Sequence, residues 1–239
     1  MFPASERIVQ TLARLQQYAD AHAAGSPHPP ALSVAISRQA GSGGPEVAHA
    51  VGERLGWPVY DRELLKQIAV KRGVPERVLE QLDEHSANWV EEMTGSFTRV
   101  NPLEDVYVKQ LVELVVSLSR AGHCVIVGRG APVVLPPQMT LRVRLVAPRE
   151  WRVARVERQR GLTRAGAEHW VDHTDTERNR FVRYWFHREA DDLLAYDLTL
   201  NTSRYDPDEC AEIIAQAARV MDAKLGSRVS SAVGAESLS

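Results

Sequence analysis

Three glycines in four positions, Gly41, Gly43 and Gly44, interrupt the run ISRQAGSGGPE at residues 36–46. Glycines at this density let successive backbone N–H groups turn toward one centre. A helix starting directly behind them adds its positive end, so the segment Gly41, Ser42, Gly43, Gly44 suits a phosphate. Pro45 fits the first turn of that helix, where its preset φ helps and its missing N–H is not needed. The plainer alternative is a tight strand-to-helix turn. The usual phosphate-loop pattern G-x-x-x-x-G-K-[ST] is not met. With Gly43 as its second glycine, Arg38 stands at the first, Gly44 at the lysine and Pro45 at the hydroxyl position. The charge and the metal-holding oxygen that such a loop ordinarily carries must then come from elsewhere. Arg38 is the candidate for the charge, and Ser37, Ser42 or Asp61 for the oxygen.

Arg129 lies between Gly128 and Gly130. Flanking glycines permit close approach of a ligand, and a guanidinium offers a fixed fork to phosphate. A further set runs Arg149, Arg152, Arg155, Arg158, Arg160, then Arg178, Arg180, Arg183 and Arg188. Such a set can answer negative charge spreading in a transition state. It can equally be a solvated helix face with pairs to Glu157, Glu168 and Glu177. Asp61 and Arg62 open a helix and are either ligand-holding groups or a local cap and ion pair. His169 and His173 have zinc-like spacing but no third ligand, so no metal site is expected there. Trp170, Phe181, Tyr184, Trp185 and Phe186 read as packing under helices rather than a stacking platform.

The elements that must position these groups alternate in type. Apolar runs at residues 32–37, 57–60, 124–127, 141–146 and 197–200 predict five strands. Helical spacing covers 4–22, 46–55, 62–121 with a break near 93–102, 150–194 and 207–225. A proline-rich linker at 24–31 follows the first helix, and a Ser-rich tail from Gly226 is expected to be disordered. The expected units are therefore an N-terminal helix and linker (1–30), one domain (31–225) and a tail (226–239). Strands alternating with helices predict a parallel sheet covered on both faces. Ligands on such sheets bind beyond the carboxyl ends of the strands. That rule selects residues 38–44, 61–62, 128–130 and the vicinity of Asn201.

Composition excludes several classes. A formal net charge of −2 gives no reason to expect a nucleic-acid partner, although only four basic residues (Lys66, Lys71, Lys109, Lys224) are lysines. No apolar run is long enough to span a bilayer. Cys124 and Cys210 are too few for a disulfide framework. The first ten residues lack a signal-peptide pattern, so a cytoplasmic location is expected.

The segments ISRQAGSGGPEVAHAVGERLGWPVYDRELL, CVIVGRGAPVVLP, LRVRLVAP and YDLTLNTS resemble, in order, the landmarks of the cytidylate kinase-like family. The resemblance runs from about residue 32 to residue 219. GSGGPEVA stands where true cytidylate kinases have GSGKSTVA, and GRGAPVVLP where they have GRDIGTVVLP. The resemblance implies a three-layer P-loop NTPase fold with a five-stranded parallel sheet. It also implies a helical acceptor-binding insertion over 62–121 and a short lid over 155–183. It implies ATP and Mg²⁺ as cofactors, and phosphoryl transfer to a nucleoside monophosphate or a similar small acceptor. By that likeness Gly41, Ser42, Gly43 and Gly44 hold the donor. Arg38, Arg129, Arg178 and Arg180 act in catalysis, and Asp61, Arg62, Arg129, Arg155 and Arg158 serve the acceptor. Gly130 replaces an acid that helps to build the pyrimidine site of true cytidylate kinases. Two alternatives remain open: a regulatory nucleotide-binding module that has lost catalysis, and a kinase for another small molecule.

Overall fold

Strand β1 (Ser33–Arg38) is the centre of a five-stranded sheet in the computed structural model, which describes residues 4–23, 31–71, 102–128 and 130–236. The other strands are β2 (Val59–Tyr60), β3 (Cys124–Val127), β4 (Thr140–Val146) and β5 (Leu198–Asn201). Their order across the sheet is β2-β3-β1-β4-β5, and every neighbouring pair is parallel. β1 is thus flanked by β3 on one side and β4 on the other. The strand order reverses beside β1, which is where a parallel sheet opens a ligand crevice.

Successive strand residues point to opposite faces, and both faces are buried. Val34, Ile36, Val125 and Val127 join Val47, Val51, Ile214 and Ala218 in one core. Those partners come from α2 (Gly44–Leu55) and from the last helix, α8 (Pro207–Glu236). Ala35, Cys124 and Ile126 point the other way, to Leu65, Ile68, Leu111 and Leu114. Here the covering helices are α3 (Arg62–Lys71) and α4 (Pro102–Arg120). The result is the expected three-layer arrangement. Its strand limits differ from the sequence reading by one or two residues, as fraying ends do.

The N-terminal helix α1 (Ala4–Ala23) docks on the same face as α3 and α4. Ile8 and Leu15 are buried in that core. Arg14 donates from Nη2 to the carbonyls of Ala121 at 3.1 Å, Gly122, and His123 at 3.4 Å. These carbonyls lie just past the end of α4, where backbone acceptors have no helical partner.

Three local differences from the sequence reading have physical causes. Residues 150–194 form two helices rather than one, α6 (Arg149–Arg160) and α7 (Arg164–Phe186). Gly161 turns left-handed at φ 63°, and Thr163 caps α7 by accepting from Gly166 N at 3.2 Å. A short helix, α5 (Ala131–Val134), follows Gly130, whose φ of 72° makes the turn out of β3. Finally, α8 runs to Glu236, past residue 226 where disorder is expected. The Ser-rich stretch contains no proline, and each glycine in a helix costs only about 1 kcal/mol. The linker at 24–30, the centre of the expected insertion at 72–101, and Arg129 lie outside the described residues. No helix among the described residues is long and apolar enough to cross a membrane.

Candidate active site

β1 ends at Arg38, and the chain reaches α2 through a loop in which Gly41 and Gly43 have φ of 76° and 77°. Only glycine takes such angles cheaply, which explains why this turn is so rich in it. No side chain caps α2, and Pro45 occupies its first turn. The first N–H groups of that helix therefore face outward with the helix's positive end, the arrangement that attracts an anion. Ser42 is fully buried, and its Oγ donates to Gln39 O at 2.8 Å, closing the loop on itself.

Arg38 runs from the end of β1 between two glycines. A Cβ at Gly44 would lie 2.6 Å from Arg38 Cγ, and one at Gly128 would collide with its Nη1. Gly44 and Gly128 are thus the walls of a slot for the Arg38 side chain. The missing side chain at the lysine position of the usual motif is the space through which this arginine passes.

A cavity of about 580 Å³ opens at the carboxyl ends of β1, β3 and β4. Gly41, Gly43, Gly44 and Glu46 line it on the loop side, and among the described residues the arginines Arg38, Arg144, Arg160 and Arg178 stand around it. Arg144 projects from β4 opposite Ser37, donates to Ser37 Oγ at 2.6 Å and to Asp191, and lies over the Tyr196 ring. Arg178 of α7 donates to Arg38 O at 3.2 Å. Arg160 stacks on Trp170 at 4.0 Å. Among the described residues the cavity's carboxylates are Glu46 and Glu177. Glu46 accepts from Arg155 at 2.9 Å and from Gln159 at 3.1 Å.

Helices α6 and α7 form a hairpin around the back of the loop. Arg149 forks onto Asp172 at 2.9 and 2.6 Å, and this guanidinium holds the Asp172 carboxyl below the usual range. Arg164 pairs with Glu150 and with Glu168. Val153, Val156, Ala167 and Val171 close the hairpin's interior.

Of the residues assigned a donor, acceptor or catalytic role from sequence, Arg38, Gly41, Gly43, Gly44 and Arg178 line the cavity, and Ser37, Arg160 and Trp170 line it too. Ser42 sits inside the loop. Arg155 lies against Gly43, where a Cβ would be 3.2 Å from its Nη2, and is held by Glu46. Asp61 caps α3 by accepting from Leu64 N at 2.8 Å. Arg158 is exposed and donates to Ala154 O within its own helix, and Arg180 pairs with Glu177 at 4.0 Å. Arg62 opens α3. Of the groups weighed as metal ligands, Ser37 Oγ accepts from Arg144, Ser42 Oγ donates to Gln39 O, and Asp61 accepts through Oδ1 in its cap. Sequence reasoning missed Arg144. Its signal was an arginine inside the apolar strand run LRVRLV, one residue short of the strand's last third.

Comparison with known proteins bears on the fold and the family. An uncharacterized protein from Eubacterium ventriosum ATCC 27560 shares 23% identity and a TM-score of 0.61, covering 79% of this chain and 98% of that chain. The shikimate kinase from Bacteroides thetaiotaomicron gives 14% identity and a TM-score of 0.45, over 78% and 95% of the two chains. The shikimate kinase from Acinetobacter baumannii in complex with shikimate gives 16% and 0.42, over 79% and 93%. The first likeness is one of fold, and the two kinases superpose too loosely to bear on the chemistry. No curated protein matches the sequence. The profile of the cytidylate kinase-like family matches residues 33–204. The chain belongs to the cytidylate kinase-like family, and its three-layer fold is of the P-loop kinase type.

Proposed function

We propose that the protein transfers the γ-phosphoryl group of ATP to a nucleoside monophosphate, a cytidylate-like acceptor. One observation carries this reading: a single cavity is lined both by a glycine loop at a helix N-terminus and by Arg38, Arg144, Arg160 and Arg178. An anion-binding loop alone fits many ligands. Arg144 is paired with Asp191, but Arg38, Arg160 and Arg178 add positive charge to the same cavity, which fits a ligand set with more negative charge than one phosphate group.

Such a transfer makes little demand for a general base, because charge spreads over the moving group and the enzyme's task is alignment and neutralisation. In this reading the N–H groups of Gly41, Ser42, Gly43 and Gly44 hold the donor phosphates. Arg38, Arg129, Arg178 and Arg180 neutralise the transferring group. Asp61, Arg62, Arg129, Arg155 and Arg158 serve the acceptor side. Mg²⁺ keeps several waters and needs only one or two carboxylates beside the phosphates. Glu46 and Glu177 are the carboxylates on the cavity wall among the described residues. They would hold Mg²⁺ on yielding their present pairings with Arg155 and with Arg180, and Mg²⁺ bound there would neutralise phosphate charge. The reading places the protein in the cytoplasm, where ATP and monophosphates occur together.

A second reading, a nucleotide-binding module without turnover, is favoured by Gly44 and Pro45 at the lysine and hydroxyl positions. The two are separated by steady-state ATP turnover with CMP, dCMP, UMP, AMP or GMP, for the wild type and Arg129→Ala. Loss of turnover in Arg129→Ala with ATP affinity retained supports the kinase. An unchanged rate removes Arg129 from the mechanism, and no wild-type turnover despite ATP binding favours the module.

A further inference from the structure

Ala40, the residue before Gly41, is fully buried against Val153, Val156, Ala167 and Val171 of the α6–α7 hairpin. A buried backbone group needs a partner, and both groups of Ala40 find theirs on side chains of that hairpin. Its N–H donates to Asp175 Oδ1 at 2.6 Å, and its carbonyl accepts from Arg152 Nη1 at 2.9 Å. The same Nη1 donates to Asp175 Oδ2 at 2.6 Å, so the two side chains and the Ala40 backbone form a closed ring. Arg152 Nε is anchored on Ala147 O at 3.0 Å. Arg152 is 6% exposed. One turn further along α7, Arg178 holds Arg38 O.

This ring constrains the loop in a particular way. Rotation of either peptide unit flanking Ala40 would break a charge-assisted hydrogen bond and leave a buried backbone N–H or C=O without its partner. The direction in which the following N–H groups point is set by those peptide units. Neither Arg152 nor Asp175 lines the cavity, so the pair works on the loop from behind.

We propose that Arg152 and Asp175 are positioning residues for the glycine loop. They fix the loop in its anion-binding conformation from the α6–α7 hairpin, in a chain that has no lysine at position 44. Hairpin packing and loop conformation then form one equilibrium, so tightening either tightens the other. The proposal rests on the donor-site reading of that loop given above.

The test uses the full chain and two readouts. Amide hydrogen exchange at Ala40 is compared with Ile36 and Val143 of the central strands. Affinity for Mg²⁺–ATP and for inorganic tripolyphosphate is measured by calorimetry on the same samples. In Asp175→Ala, Ala40 exchange is expected to accelerate at least tenfold with Ile36 and Val143 unchanged, and affinity for both probes to fall at least tenfold. Asp175→Asn keeps an acceptor oxygen for the Ala40 N–H, so it is expected to lie between Asp175→Ala and the wild type, and it carries the test if Asp175→Ala does not fold. Unchanged protection at Ala40 overturns the clamp. Lost protection with unchanged affinity, in a chain whose wild type binds the probes, overturns its positioning role. A wild type that binds neither probe while Ala40 behaves as expected overturns the donor-site reading and leaves the clamp standing.

Discussion

The guanidinium of Arg38 occupies the space that a side chain at Gly128 would need, so the glycine after β3 and the arginine ending β1 form one unit. Gly128 also has φ of 74°, at which an alanine is strained by roughly 1–2 kcal/mol. Gly128→Ala is therefore expected to lower stability by about that amount in urea unfolding, since the tip of Arg38 can swing away. Turnover should fall far more than stability, because the displaced group is the cation beside the loop. A variant with lowered stability and wild-type turnover would separate Arg38 from the chemistry.

Gly130 faces a harder obstacle. Three ring atoms of Phe186 occupy the place of its Cβ, and that ring packs edge-on against Phe181. Restoring the acid of true cytidylate kinases by Gly130→Asp is expected to destabilise by about 2–5 kcal/mol, combining left-handed strain with overpacking. It should not create CMP preference. In a Phe186→Leu background the penalty should shrink, which a double-mutant cycle in urea reads directly.

The N-terminal helix is expected to be part of the folded domain. Leu15 is 6% exposed in the core under α3 and α4, so Leu15→Ala should cost about 2–5 kcal/mol. Arg14→Met should loosen the turn at residues 121–123 that its guanidinium holds, visible as faster amide exchange there. Neither change should alter affinity for Mg²⁺–ATP, because neither residue lines the cavity and Arg14 reaches the start of β3, at the opposite end of the sheet from the loop.

Acid should loosen the hairpin late. Arg149 holds Asp172, and Arg183 holds Glu189, below their ordinary values. A depressed folded-state pKa contributes stability that is present above the unfolded value and lost as pH falls through the folded one. The contributions of both pairs should thus persist to about pH 4, the unfolded range for these carboxyls, and disappear below it. Both pairs are exposed, so the effect should be small and weaken with salt. It is read by comparing urea midpoints of Asp172→Asn and wild type between pH 7 and pH 3.

Those elements were legible in sequence whose cause is local. Apolar runs such as residues 124–127 mark strands buried on both faces, and the glycines at 41, 43 and 44 mark a turn that other residues cannot make. The break at Gly161 and Thr163 was hidden because helical spacing continues on both sides of it. What no spacing encodes is contact across long stretches of chain. Asp175 reaches Ala40, 135 residues away, and Arg144 reaches Ser37 only because β4 is laid beside β1 in that register. Arg158 and Arg155 looked equivalent on one helix. Their difference, exposed against held over Gly43, depends on where α6 crosses the loop.

The most direct test of the central claim is transfer of label from [γ-³²P]ATP, with Mg²⁺, to CMP, dCMP, UMP, AMP or GMP, resolved by chromatography against an acceptor-free control. Label appearing in one nucleoside diphosphate, and lost in Arg38→Ala, is the expected result. ATP binding without label in any of the five products would contradict the monophosphate kinase and leave a loop that binds nucleotide without transferring its phosphate to these acceptors.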